Sequence, residues 1–314
     1  MTRKVARPLT PRIDQVRVSS PTEDINPRTQ DLDDVTTLRV LELINAEDAL
    51  VPAAVAAVLP ELAQLVDQAA AQVRAGGRVH YFGAGTSGRL GVLDAAELLP
   101  TFGIADDVVI AHQAGGSAAF VRAAENAEDD EASATADGVT LVSGDVVVGL
   151  TASGRTPYVG AALRTGRSVG AITALVTSNP HAPLGELADH LLVVDTGPEA
   201  IAGSTRLKAG SALKLVLNSF STALMVRLGH TYRNLMVDMR PTNAKLRGRS
   251  VQMLQDATGA PEGDCERALD LCGDIKTSVV YLIAGGAGSP VAARNALAAA
   301  EGHVRQALQL LRIS

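Results

Sequence analysis

The sequence predicts an α/β fold, in which a central parallel sheet is covered by helices on both faces and followed by a small all-helical C-terminal domain. Three observations carry this expectation. Five short runs, "VHYF", "DVVIAH", "DVVVGL", "VGAITALV" and "HLLVV", are apolar without the alternation of a half-exposed strand, as expected for strands buried on both faces. The stretches between them place apolar residues at helical spacing. From about Asn243 onward the text is helical throughout, broken near "TGAPEGD", "CGD" and "GGAGSP".

Taken in order, residues 1–30 are rich in Pro, Arg and Thr and read as a loose arm. A main domain is expected over residues 31–244 and the helical domain over 245–314. From Asp31 the chain turns helical and closes on Gly76-Gly77, a glycine stop of the usual kind. The segment "STRLKAGSALKLVLNSFSTALMVRLG" reads as a long helix with Ser204 or Thr205 as its N-cap. It is apolar over most of its circumference, so it should be buried all round. Part of that cover is expected from a second copy of the chain, as a homodimer; the competing cover is the chain's own C-terminal helices.

The 314 residues suffice for one large core and an accessory piece, with 46% apolar and 20% charged residues. Trp is absent and aromatics reach only 3%, so Ala, Val and Leu must build the core. A net charge of −6 and few aromatics argue against nucleic-acid or anionic-membrane partners. Cys265 and Cys272 are seven residues apart in an expected helix, roughly 10 Å by helical rise, too far for a disulfide. "MTRKVARPLTPRIDQVRV" lacks the apolar segment of a secretory signal. Apolar stretches break well before the ~20 residues of a membrane span. These features together point to the cytoplasm.

"RVHYFGAGTSGRLG" contains Gly83-Ala84-Gly85-Thr86-Ser87-Gly88, which satisfies the G-x-G-x-x-G pattern of dinucleotide-binding proteins. That reading needs an acidic residue at the end of the following strand, where this chain has His112-Gln113; Asp106 and Asp107 precede the strand. The loop also carries two hydroxyls, Thr86 and Ser87. A Walker-type loop is excluded because no Gly-Lys-Ser/Thr follows. An internal echo favours a smaller ligand: "VHYFGAGTSGRL" and "VVVGLTASGRTP" both run strand, hydroxyl-bearing turn, Ser-Gly-Arg, helix. Two such loops at the carboxyl ends of parallel strands offer N–H groups and helix dipoles to an anion.

The paired loops resemble the sugar isomerase (SIS) domain, a phosphosugar-binding three-layer sandwich. More closely, the chain resembles the N-acetylmuramic acid 6-phosphate etherase family. The matching stretches are "TEDINPRTQDLD", "LINAED", "GAGTSGRLGVLDAAELLPTFG", "AAENAEDD", "DVVVGLTASGRTPYV", "GPEAIAGSTRLKAGSALKLVLN", "NLMVDMRPTN" and "ATGA", spread over about residues 21–260. The resemblance implies elimination of D-lactate from the sugar C3 followed by water addition, with a small phosphosugar as the only partner besides a second subunit. Such chemistry requires no metal or redox cofactor. It needs a pair of carboxyls able to act as acid and base.

Glu97, in "LDAAELLPTFG", is implied as one; its apolar sequence neighbours are expected to raise its pKa. Glu128, within a run of five acids in seven residues, is implied as the other, with Glu125 the competing choice. Ser87, Ser153 and Thr156 are the expected phosphate hydroxyls, with Thr86 and the backbone of Gly88 and Gly154 beside them. Arg89 and Arg155 either add charge there or pair with nearby acids. Glu199 and Ser204 are expected to bind sugar hydroxyls or the amide; for Lys208 and Lys214 the alternative to a role there is an exposed helix charge. The six His show no ligand spacing. Two other functions remain compatible with the loops: a non-catalytic phosphosugar sensor and a phosphosugar isomerase.

Overall fold

A computed structural model describes residues 19–122, 124–239, 244–285 and 289–313. The first helices are α1 (Thr37–Asp48) and α2 (Val51–Arg74). Strand β1 (Val79–Gly83) leads into α3 (Gly85–Phe102), then β2 (Val109–Gln113). The short helices α4 (Ala118–Val121) and α5 (Glu131–Asp137) precede β3 (Val146–Leu150), α6 (Pro157–Val169), β4 (Ile172–Thr177), β5 (His190–Val193) and α7 (Lys208–Arg227). A two-residue hairpin, β6 (Thr231–Tyr232) and β7 (Leu235–Met236), connects to α8 (Ala244–Thr258), α9 (Glu262–Cys272), α10 (Ile275–Ile283), α11 (Pro290–Ala299) and α12 (Val304–Ile313).

The five expected strands form one sheet in the order β2-β1-β3-β4-β5, with every pair parallel. β1 and β3 are buried along their whole length, which is why their sequences do not alternate. One face packs on α2, α3 and α7 through Leu65, Tyr81, Val148, Leu213 and Phe220. The other packs on α6 through Phe82, Val147, Tyr158, Leu163 and Leu175. A separate core gathers α8–α12 with Tyr232, Val237 and Met239 from before residue 240. The sheet thus presents the carboxyl ends of β1, β3 and β4 side by side, where an open parallel sheet binds ligands.

Four sequence expectations need correction. Residues 1–18 lie outside the described residues, but 19–30 are not loose. Thr22, Asn26 and Thr29 are buried. Gly203 N donates to Thr22 O at 2.8 Å, Asn26 Nδ2 to Pro198 O at 3.3 Å and Thr29 Oγ1 to Ala200 O at 2.9 Å. A polar composition reads as loose only while its partners, about 170 residues away, are unknown. Second, helix begins at Thr37, capped by Thr36; residues 27–35 form turns and bends. Third, α7 starts at Lys208 and not after Ser204 or Thr205, which lie in turns upstream. Fourth, α7 is not buried all round within one chain: Leu215 and Val226 are exposed. It is apolar over a length able to cross a bilayer, yet here Leu213, Val216, Leu217, Phe220 and Leu224 lie in the core with α2 and α3.

Candidate active site

The glycines of the first loop serve the turn. Gly85 has φ +54°, where side chains strain the backbone. A Cβ on Gly88 would sit 2.4 Å from Gly83 O, so the end of β1 and the first turn of α3 touch backbone to backbone. The G-x-G-x-x-G spacing therefore has a cause that does not involve a dinucleotide. Ala84, the N-cap, contributes no side-chain cap. The first helical bond is Gly88 N to Ala84 O, so the amides of Gly85, Thr86 and Ser87 precede it and, with the positive end of the helix dipole, suit an anion.

Beside this turn is a small cavity lined by Ser87, Thr151, Ala152, Val176, Thr177, Ser178, Val194, Thr205, Ala209 and Leu213. It collects hydroxyls from the ends of β1, β3 and β4 and from the approach to α7. Ser87 is the one member of the expected phosphate set in this wall. Ser153 and Thr156 join it through Thr151, whose Oγ1 lies 2.8 Å from Thr156 Oγ1 and 3.4 Å from Ser153 Oγ. Gly154 takes φ +68° and packs so closely on Ala182 that a Cβ would meet it at 2.2 Å. Thr86 faces Gly210 of α7, where a Cβ would meet its methyl at 3.6 Å. Sequence reasoning missed Thr151, Ser178 and the cavity role of Thr205. The signal was present: "LVTSN" after β4 repeats the strand-then-hydroxyl pattern of the other two loops.

Glu199 is fully buried, and both carboxylate oxygens accept backbone bonds, from Lys208 N at 2.9 Å and Ala209 N at 3.0 Å. It caps α7 from nine residues upstream, the task expected of Ser204 or Thr205. Burial pushes its pKa up, against the pull of those two N–H donors. Ser204 is half-buried in the turn that precedes the helix. Lys208 is no exposed charge: it is wholly buried, with Nζ 2.7 Å from Glu47 Oε2. Lys214 Nζ lies 3.2 Å from Asp94 Oδ1, and Tyr81 and Ser221 donate to the same buried carboxylate.

The acidic run divides by task. Asp130 caps α5 by accepting from Ser133 N at 2.9 Å, and Glu131 pairs with Arg164 at 2.8 Å. Glu125 and Glu128 remain at a second, roomier cleft, shared with Gly85, Arg89, Gln113 and Asn126. Arg89 directs its guanidinium at the carbonyls of Ala119, Phe120 and Arg122, so it holds the chain around α4. Arg155 is half-buried, and its backbone N–H donates to Ser153 Oγ at 3.3 Å.

Glu97 lies elsewhere. Ten residues of α3 separate it from Ser87, about 15 Å of helical rise. It is exposed, so the expected apolar surroundings do not exist within one chain. Sequence neighbours on a helix point in different directions: Leu98 is buried while Leu93, Ala96, Glu97 and Pro100 form one exposed stripe. Ser87 and Glu128 thus border two cavities that both reach the first turns of α3, and Glu97 lines neither.

Residues 61–167 match the model of the glucokinase regulatory protein N-terminal SIS domain. An N-acetylmuramic acid 6-phosphate etherase of Thermobifida fusca is 58% identical over 267 residues, covering 85% of this chain and 88% of that protein. The chain belongs to the N-acetylmuramic acid 6-phosphate etherase family. The etherase of Pectobacterium atrosepticum is 48% identical over 289 residues, covering 91% of this chain and 95% of the relative. Among solved structures, a phosphoheptose isomerase from Francisella tularensis aligns over 60% of this chain and 98% of its own, with 16% identity and a TM-score of 0.46. The two etherases are matched over most of their length, so the likeness takes in the loops, the acidic run and the helical C-terminal region together.

Proposed function

We propose that this chain is a carbon–oxygen lyase that removes D-lactate from N-acetylmuramic acid 6-phosphate and yields N-acetylglucosamine 6-phosphate, a step in recycling cell-wall amino sugars. The observation that carries the reading is the hydroxyl-lined cavity at the uncapped start of α3, in a chain 58% identical to a protein of that name. The cavity offers a sugar phosphate what it needs: hydroxyl donors from Ser87, Thr151, Ser178 and Thr205, first-turn amides and a helix dipole. Ser153, Thr156 and Gly154 shape the second loop behind Thr151.

The chemistry follows from the ring-opened substrate, whose C1 aldehyde acidifies the C2 proton. One carboxylate takes that proton, and the electron pair moves into the C1–C2 enolate. The C3–O bond then breaks, its pair leaving on the lactyl oxygen, which receives a proton from a carboxylic acid. Water adds back across C2–C3, hydroxyl to C3 and hydrogen to C2. Glu97 and Glu128 are the proposed carboxyls, and the working unit is proposed to be a homodimer. The exposed stripe Leu93-Ala96-Glu97-Pro100 supports this, because a partner packed on it would desolvate Glu97 and bring it to the other chain's cavity. Isotope labelling tests the chemistry. In heavy water the product is expected to carry deuterium at C2, and oxygen-18 water is expected to label its C3 hydroxyl. A product that keeps its original C2 hydrogen contradicts elimination and hydration.

A further inference from the structure

Three segments converge on the first turn of α7. Lys208 opens the helix, its ammonium wholly buried against Glu47 at the end of α1. Glu47 is also buried and holds a second cation: Arg28 Nε and Nη2 reach its two oxygens at 2.5 and 2.8 Å. The Arg28 bonds, with those of Lys208, hold the Glu47 carboxyl down at about 2. Glu199 takes the backbone N–H groups of Lys208 and Ala209. Arg28 belongs to the segment 19–30, which also crosses the approach to α7: Thr22 bonds Gly203, Asn26 bonds Pro198, and Thr29 bonds Ala200. At its start the same segment meets the second phosphate loop, because Asn179 Nδ2 donates both to Ser19 O and to Ser153 O.

Ala209 and Thr205 are walls of the phosphate cavity, and Thr151 connects that cavity to the Ser153 loop. A buried ion pair joined to a bidentate arginine has little freedom to slide, since any displacement leaves a charge uncompensated in low dielectric. We propose that residues 19–30 are a strap that sets the cavity, and that Arg28 is a positioning residue acting through Glu47 and Lys208 on the first turn of α7. This rests on the reading of the cavity as the phosphosugar site. Arg28 itself touches none of the cavity walls; its guanidinium is half-exposed at the outer end of the relay. It is therefore the member that can be changed without leaving a fully buried group of its own.

Arg28→Met, Arg28→Lys and the unaltered protein are compared for lactate release, with kcat expressed per folded molecule. Arg28→Met is expected to raise KM about tenfold while kcat stays within about twofold, because the cavity loosens but the carboxyls are untouched. Arg28→Lys, which keeps one charged bond to Glu47, is expected to recover most of that loss. A KM for Arg28→Met equal to the unaltered value, or no rescue by Lys, overturns the proposal. Calorimetry with inorganic phosphate reads the cavity without the reaction. Binding about tenfold weaker in Arg28→Met supports the strap even where no lactate is released, and equal binding overturns it.

Discussion

Glu97 and Ser87 carry different parts of the account, and their variants separate those parts. Glu97→Gln keeps the side chain's size and removes its acid–base function, so turnover is expected to fall by about 100-fold or more. Binding of N-acetylglucosamine 6-phosphate should survive, because the phosphate is held by the hydroxyls and amides of the cavity and not by Glu97. A folded Glu97→Gln protein with near-normal lactate release removes Glu97 from the mechanism. Ser87→Asp sets a carboxylate in the cavity wall, facing a phosphate dianion at short range. Calorimetry is expected to find no phosphosugar binding to this variant. Unchanged affinity would place the phosphate outside the cavity.

At the scale of elements, the strands were legible because burial on both faces leaves an uninterrupted apolar run, and all five appear in the sheet. The start of α7 was not legible. Its cap, Glu199, comes from nine residues away, and local rules credit Ser204 and Thr205 instead. The strap was misread for a similar reason: its hydrogen bonds are long-range, and composition registers only polarity. In the site, Ser87 was found at the cavity from the Ser-Gly-Arg echo, while Thr151 and Ser178 needed the third strand end in view.

One pair of strands carries an unforeseen polar contact. His80 of β1 is fully buried, its Nδ1 3.1 Å from His112 Nε2 of β2, and the His112 ring stacks on Phe82 at 4.2 Å. Burial, then the neighbouring His112, push His80 down to about 4, against a smaller pull from Asp145. The unfolded chain therefore binds more protons between about 4 and 6.5, and stability should rise with pH across that window. Denaturant midpoints at the two ends of the window check this. His80→Leu is expected to flatten the rise, and an unaltered slope shows that His80 is not its source.

For the whole molecule, the proposal is a homodimer, because Glu97 lines neither the Ser87 cavity nor the Glu128 cleft of its own chain. In a two-fold dimer the same stripe of α3 serves both subunits. Glu97→Gln and Ser87→Asp homodimers are each expected to be inactive. Mixed one-to-one, with exchange, half the dimers pair one of each and contain one intact site in two. About a quarter of normal activity should then return. No recovery in a mixture shown to exchange subunits means that each site is built from a single chain. All of this depends on the reaction itself, and the most direct measurement is D-lactate released from N-acetylmuramic acid 6-phosphate by the purified protein. The account predicts stoichiometric lactate together with N-acetylglucosamine 6-phosphate. An aldose–ketose exchange without lactate, or tight binding of the substrate with no product, would contradict it.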